Sequence, residues 1–120
     1  MEEYKLGEME QRFADLIWQR APVSSGELVK LCEAQLNWKK STTYTMLKRL
    51  CNKGIFKNDK GTVRTLMTRE DFFAAQGEQF LAETFGGSLP LFFAAFTRRN
   101  RLSKKEIHEL ERLIDAHKEG

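Results

Sequence analysis

The sequence predicts a mainly α fold with a small β component (α+β), in which three short helices and a β-hairpin precede three further helices. Two patterns predict these elements: apolar residues recur at helical spacing along most of the chain, and apolar or β-branched residues flank an Asp/Gly turn. A third observation divides the chain, because seven of its nine phenylalanines lie in residues 71–120. We therefore expect one domain at residues 1–69 and a second, helical domain at residues 70–120.

The first two helices are predicted from their apolar faces and their ends. An apolar stripe over about residues 7–20 predicts a helix that ends before Pro22, because proline disfavours the helical conformation of the residue that precedes it. Ser24 and Glu27 have the spacing of a capping box. They predict the start of a second helix, which runs to about Leu36.

The third helix and the hairpin after it complete the first domain. The helix should begin near Ser41, turn Leu47 and Leu50 inward, and end at Gly54, because glycine readily adopts the left-handed turn past a helix end. The two predicted strands are residues 55–57 and 62–66. Three short helices followed by a hairpin make a winged helix-turn-helix, in which the third helix enters a major groove of DNA.

The second domain should consist of three helices that meet a second copy of the chain. Capping residues mark the helix starts: Thr68 with Asp71, Ser88, and Ser103 with Glu106. A helical piece of this size has too much surface for its volume to bury seven aromatic rings alone. It should either fold back on the first domain or form a dimer interface, and we expect the second. The residues expected at this interface are Phe73, Phe80, Leu81, Leu89, Phe92, Phe93, Phe96, Leu110 and Ile114.

The positive charge of the chain is concentrated in its middle. The net charge of +3 comprises −3 for residues 1–37, +8 for residues 38–69 and −2 for residues 70–120. Such asymmetry indicates a polyanionic partner for the middle block. Duplex DNA is favoured over single-stranded RNA, because the block lacks clustered aromatic residues for stacking bases. Two alternatives are a solvated basic face without a partner, and a helical interaction module whose basic face binds an acidic protein.

The outward positions of the third helix suit the reading of DNA. Short hydroxyl side chains near its start can approach base edges and phosphates closely, while the lysine and arginine further along can reach the backbone. Lys57 and two other cations of the hairpin would place charge at the adjacent groove. Tyr44 fits two positions, at the DNA or packed beside the wing, and a capped helix with a polar outer face is the plainer alternative for the whole set. The expected DNA contacts are Lys39, Lys40, Ser41, Thr42, Tyr44, Thr45, Lys48, Arg49, Lys60 and Arg64.

No catalytic or metal-binding constellation is predicted. His108 and His117 are far apart and lie on a polar helix face or a fraying end, and Cys32 and Cys51 lack the paired spacing of zinc or redox sites. We therefore expect neither enzyme activity nor a cofactor, with both cysteines as reduced thiols. The longest apolar run, Leu89–Phe96, is too short to span a membrane, and no basic-then-apolar leader begins the chain. These features predict a cytoplasmic protein.

Several short motifs together carry a family resemblance. The first helix contains Leu6-Gly-Glu-Met-Glu10, followed by Phe13, Ile17-Trp18 and Pro22. The third helix region contains Trp38, Ser41-Thr-Thr-Tyr-Thr45, Leu47, Arg49-Leu50 and Lys53-Gly54. The C-terminal part contains Phe85-Gly-Gly-Ser88, Lys105-Glu-Ile107 and Glu109-Leu110. With these motifs the chain resembles, over essentially its whole length, the penicillinase and methicillin-resistance repressor family (BlaI/MecI), to which the copper repressor CopY is related.

The resemblance implies a cytoplasmic homodimer that represses genes by binding a palindromic operator. It implies that Thr42, Thr45 and Arg49 face the DNA and that the C-terminal helices entwine with their partner. Family members are switched off when a membrane sensor triggers cleavage at an Asn-Phe bond in the fifth helix. The corresponding pair here is Ala95-Phe96, so this chain departs from the family's cleavage motif, and a sensor-controlled protease is only a candidate partner. The C-terminal cysteine motifs of the copper repressor are missing.

Overall fold

The computed structural model describes residues 4–120. Over this range the chain forms six α-helices and three short β-strands, which confirms the predicted mainly α fold. The elements are α1 (Glu8–Arg20), β1 (Val23–Ser24), α2 (Ser25–Leu36), α3 (Lys40–Asn52), β2 (Phe56–Asp59), β3 (Thr62–Thr65), α4 (Arg69–Thr84), α5 (Leu89–Arg99) and α6 (Lys104–Glu119). The chain divides into two compact units, of which the first ends at Gln79 and the second spans Phe80–Gly120.

The three strands form one antiparallel sheet in the order β1-β3-β2. β2 and β3 are the predicted hairpin, and their pairing begins with Phe56 opposite Thr65. The two turn residues, Lys60 and Gly61, have positive φ angles of 52° and 91°. Positive φ at both positions is what the tightest hairpin turns require, and it matches the twist of the flanking strands. The hairpin is the wing of a winged helix-turn-helix.

β1 is the strand of the described chain that the sequence did not predict. Its Val23 pairs with Val63 of β3, and both side chains are buried. The next residue, Ser24, caps α2, because its hydroxyl accepts a hydrogen bond from the Glu27 amide (3.1 Å). Two paired residues are too few to show the period-two pattern by which a strand is recognised. β1 therefore attaches the wing directly to the start of α2.

The helices and the sheet of the first unit enclose one apolar core. α1 contributes Phe13 and Ile17 to it, and α3 contributes Leu47 and Leu50, as their spacing predicts. Burial of each such side chain contributes about 1.5–3 kcal/mol. The buried apolar residues are Phe13, Ala14, Leu16, Ile17, Val23, Leu28, Cys32, Leu47, Leu50, Ile55, Phe56, Val63 and Phe72.

The first half of α4 belongs to this core. Phe72 is fully buried, and its ring centroid lies 5.6 Å from that of Trp18 on α1. Beside this contact, Arg69 Nε lies 3.0 Å from Asp15 Oδ1, which joins the start of α4 to α1 by an ion pair. The first compact unit therefore continues into α4.

α4 begins where the capping residues predict, because the Asp71 amide donates a hydrogen bond to Thr68 Oγ1 (3.1 Å). The compact units nevertheless divide later in the chain than the expected domains, between Gln79 and Phe80. The reason is the burial of Phe72, which ties the first turns of α4 to the winged helix. The division of function between residues 1–69 and 70–120 stays a prediction.

The second unit contains the end of α4 together with α5 and α6. Ser88 caps α5 by accepting from the Leu91 amide (3.1 Å), and Ser103 and Glu106 form both halves of the predicted capping box of α6. A cluster of aromatic rings joins α4 to α5, with neighbouring centroids 5.5–5.9 Å apart. Its members are Phe80, Phe85, Phe92 and Phe96. Across residues 4–120, no single helix has both the length and the apolar character to cross a membrane, and only α4 and α5 taken together as a bent pair meet those criteria.

Replacing Phe72 by alanine is expected to destabilise the first unit by about 3–5 kcal/mol, because the change removes a fully buried ring. Replacing Leu66, which is 60% exposed, should lower the free energy of unfolding by less than about 1 kcal/mol. Guanidinium unfolding followed by tryptophan fluorescence measures both variants. Equal unfolding midpoints for the two variants would show that α4 is not part of the core.

Candidate nucleic-acid interface

The turn between α2 and α3 fixes the direction of the third helix. α2 ends at Asn37, which has a left-handed φ of 55°. The Trp38 amide then donates a hydrogen bond back to the Cys32 carbonyl (3.2 Å), and the Trp38 ring packs 5.2 Å from that of Phe13. After this closed helix end, Lys39 is the N-cap of α3, and Lys40 is its first residue.

One face of α3 is held in the core and the opposite face is exposed. Thr43, Leu47 and Leu50 point inward, and Thr43 is only 1% exposed. The Thr43 hydroxyl has a partner inside the protein, because it donates a hydrogen bond to the Lys39 carbonyl (3.4 Å). The exposed positions of α3 are Lys40, Ser41, Thr42, Tyr44, Thr45, Lys48, Arg49 and Asn52. All ten predicted DNA contacts are exposed, and Asn52 is a further exposed polar position of α3 that was not predicted.

The start of α3 is suited to an anion. No acidic residue lies in its first turn, and the side chain of its N-cap residue, Lys39, makes no capping hydrogen bond. The first amides of a helix have no partner within the helix, and together with the helix dipole they favour negative charge. Lys39 and Lys40 add two cations at the same end. A phosphate group fits this arrangement.

The wing carries its own positive charge. Lys57 of β2 lies directly opposite Arg64 of β3 in the register, and both side chains are exposed. Arg64 Nε is 3.9 Å from Asp59 Oδ2, and this surface pair leaves most of the charge available because exposed ion pairs are weak. Lys60 is in the turn itself and is exposed. The wing therefore presents three cations and one carboxylate.

Tyr44 lies on the flank of α3 that faces the wing. It is 38% exposed, and its hydroxyl donates a hydrogen bond to Ser25 Oγ at the start of α2 (3.2 Å). The ring borders a groove between α3 and β2, which is also lined by Lys48 and Lys57. The groove thus brings cations of the helix and of the wing to the same place. Local periodicity carries no signal for the Ser25 contact, because the bond joins side chains from two different helices.

The thiols are neutral groups of the packed unit. Burial raises the pKa of Cys32, against a smaller lowering by a hydrogen bond with the Thr43 side chain. Burial likewise raises the pKa of Cys51, which borders the groove, against a smaller lowering by the Asn58 backbone. Both cysteines are free. Within residues 4–120, no group of His, Cys, Asp and Glu side chains is arranged to hold a metal ion.

The predicted dimer residues are mostly exposed on the second unit. Phe73 differs from the others because it lies in the first unit, where its ring packs near Trp18. The guanidinium carbon of Arg69 lies over this ring, 4.6 Å from its centroid. Three others are half-buried, namely Leu81, Phe92 and Leu110. The exposed ones are Phe80, Leu89, Phe93, Phe96 and Ile114. The pair Ala95-Phe96, which corresponds to the family's cleavage site but departs from its Asn-Phe motif, lies within α5.

A profile of the family described as "Penicillinase repressor" matches residues 6–116. The chain belongs to this family. It is 26% identical over 118 residues to the penicillinase repressor of Bacillus licheniformis, covering 95% of this chain and 92% of that protein. It is 22% identical over 116 residues to the methicillin resistance regulatory protein MecI of Staphylococcus aureus, covering 93% of this chain and 94% of that protein. An uncharacterized 16.5 kDa protein of Latilactobacillus sakei is 27% identical over 109 residues, 84% of this chain and 72% of that protein.

Family membership confirms the resemblance noted in the sequence motifs. The family is one of DNA-binding transcriptional repressors and not of enzymes, so the chain is a regulator of transcription. The match extends over residues of both compact units.

Alkylation should distinguish the two thiols of the native protein. Cys51, which is partly exposed, is expected to react slowly with iodoacetamide at pH 7 and faster as the pH rises toward its raised pKa, because the thiolate is the nucleophile. Cys32, which is fully buried, should react only after unfolding. Mass spectrometry of peptides from native and unfolded protein measures both rates. If Cys32 were labelled faster than Cys51 in the native protein, this result would contradict the burial of the Cys32 side chain.

Proposed function

We propose that the protein represses transcription as a homodimer that binds a palindromic operator, with α3 of each protomer in one major groove. The observation that carries this proposal is the outward face of α3, which is free of acidic residues, rich in hydroxyls and cations, and set in a block of net charge +8. A helix of this kind, held to a core by its opposite face, is the reading element of helix-turn-helix proteins.

The outward face divides into groups with different tasks. Thr42 and Thr45 are short, and they are proposed to approach base edges, where hydroxyls can donate and accept hydrogen bonds. Lys48 and Arg49, further along the helix, are proposed to reach phosphates. The free amides at the start of α3 would bind another phosphate. The contacts to phosphate set the position on the duplex, and the contacts to bases set the sequence preference.

The wing is proposed to bind the duplex beside the groove that α3 occupies. Lys60 lies in the tight turn at its tip, and Lys57 and Arg64 lie opposite each other along its strands. Their charges would be attracted to the phosphates at the adjacent minor groove. Asp59 weakens the field of Arg64 only slightly, because both partners of that pair are about half exposed.

The second unit is proposed to hold two protomers together. Neither α5 nor α6 contains a buried residue, yet Leu89 of α5 and Leu113 and Ile114 of α6 are more than half exposed apolar side chains. Large apolar side chains left exposed on a helical unit this small indicate an interaction site. A second copy would cover it and would place two recognition helices about 10 base pairs apart, or a multiple of that distance. Such a dimer would occupy promoter DNA and exclude polymerase. Because it would act on promoter DNA, its proposed location is the cytoplasm.

Arg49→Ala and Thr45→Ala are expected to weaken DNA binding in different ways. Loss of Arg49 should weaken binding to every sequence and reduce the slope of log affinity against log salt by about 1, because one phosphate contact is lost. Loss of Thr45 should reduce the preference for the selected duplex over a scrambled one by about 1–3 kcal/mol and leave the slope unchanged. Full-length protein is titrated at several salt concentrations with a duplex that the wild type selects from a random pool.

Arg112→Ala is the matched control, because it removes an exposed arginine from α6 and should leave both quantities unchanged. A wild-type affinity that does not respond to salt would refute the DNA proposal. Retention of the chain by an acidic protein, without retention by duplex DNA, would favour the interaction-module alternative.

Ile114→Lys is expected to weaken self-association by at least tenfold, because it places a charge on a 56% exposed apolar position that the dimer would bury. His117→Lys, one turn further along α6, adds the same charge at an exposed polar position and should leave association unchanged. Sedimentation equilibrium of the full-length variants measures this difference. A wild-type chain that remains monomeric at all concentrations would contradict the proposed dimer.

A further inference from the structure

The two proposed DNA-binding elements of one protomer, α3 and the wing, both form a hydrogen bond with Ser25, the first residue of α2. The Tyr44 hydroxyl, on α3, donates a hydrogen bond to Ser25 Oγ at 3.2 Å. The Ser25 amide donates to the Gly61 carbonyl in the turn of the wing at 2.8 Å. Ser25 thus contacts the recognition helix through its side chain and the wing through its backbone.

The wing side of this junction is held by further hydrogen bonds. The Gly61 amide donates a hydrogen bond to Asn58 Oδ1 (3.0 Å), which closes the turn, and Ser24 of β1 pairs with Thr62 of β3. The tip of the wing therefore follows the start of α2. On the helix side, the Tyr44–Ser25 hydrogen bond connects the outward flank of α3 to the start of α2.

We propose that Tyr44 and Ser25 are positioning residues that fix the separation between α3 and the wing, and that the Tyr44 hydroxyl acts through Ser25 and not by touching DNA. This inference rests on the proposed function. Both elements must bind the same duplex at once, so any freedom of α3 relative to the wing has to be lost on binding. A bond that already holds them removes part of that cost. The groove lined by Tyr44, Lys48 and Lys57 is the space whose width the bond controls.

A double-mutant cycle tests the proposal. Tyr44→Phe and Ser25→Ala each remove a single hydroxyl, and neither removes the Ser25 amide bond to the wing. Full-length wild type, both single variants and the double variant are titrated with the duplex that the wild type selects from a random pool. Each single change is expected to weaken binding about 2- to 10-fold, and the double change no more than either single change, because both remove the same bond.

Further measurements distinguish a positioning role of the two hydroxyls from direct contact with DNA. The slope of log affinity against log salt should stay at its wild-type value in all three variants, since no phosphate contact is removed. Ser25→Thr, which keeps the hydroxyl, should restore most of the affinity that Ser25→Ala loses. Tyr4→Phe removes the other tyrosine hydroxyl of the chain and should leave DNA binding unchanged.

Three results would overturn the proposal. If Tyr44→Phe weakens binding while Ser25→Ala does not, or if the two effects multiply, the Tyr44 hydroxyl contacts DNA directly. If neither substitution changes the affinity, the bond does not position α3. A wild-type chain that selects no duplex fails at the earlier step and refutes the proposed function itself.

Discussion

The burial of one face of α3 is the interaction on which the rest of the first unit depends. Leu47 and Leu50 enter the same core as Phe13 and Ile17 of α1, and Thr43 joins them by satisfying its hydroxyl within its own helix. Because helix positions three and four apart share a face, this burial turns the hydroxyls and cations of α3 outward as a set. The function of the helix follows from what packing leaves exposed.

How much of the fold the sequence could predict depends on whether an interaction is local or joins distant parts of the chain. The helix starts at Ser24, Thr68, Ser88 and Ser103 were predictable, because capping is a local interaction between residues three apart. The burial of Phe72 was not, because its contact with Trp18 joins distant parts of the chain and Phe72 and its neighbour Phe73 look alike in the sequence. β1 is too short for a pattern, and its pairing with β3 is visible only in the folded chain.

The candidate site shows the same division between local and distant information. Which side chains of α3 point outward could be predicted from helical periodicity, and all ten expected contacts are exposed. That Tyr44 bonds to Ser25 could not, because the bond depends on the angle between α2 and α3. In the second unit the sequence predicted an apolar surface without a core, and Leu89, Leu113 and Ile114 are exposed as that expectation requires. What covers these residues is a property of two chains, which a single chain does not show.

The decisive measurement is hydrogen–deuterium exchange of the full-length protein, with and without the duplex that it selects from a random pool. DNA is expected to slow exchange in peptides that cover the start of α3 and the turn of the wing, and to leave the C-terminal half of α6 unchanged. Slower exchange confined to residues 80–120, with α3 and the wing unaffected, would contradict this expectation.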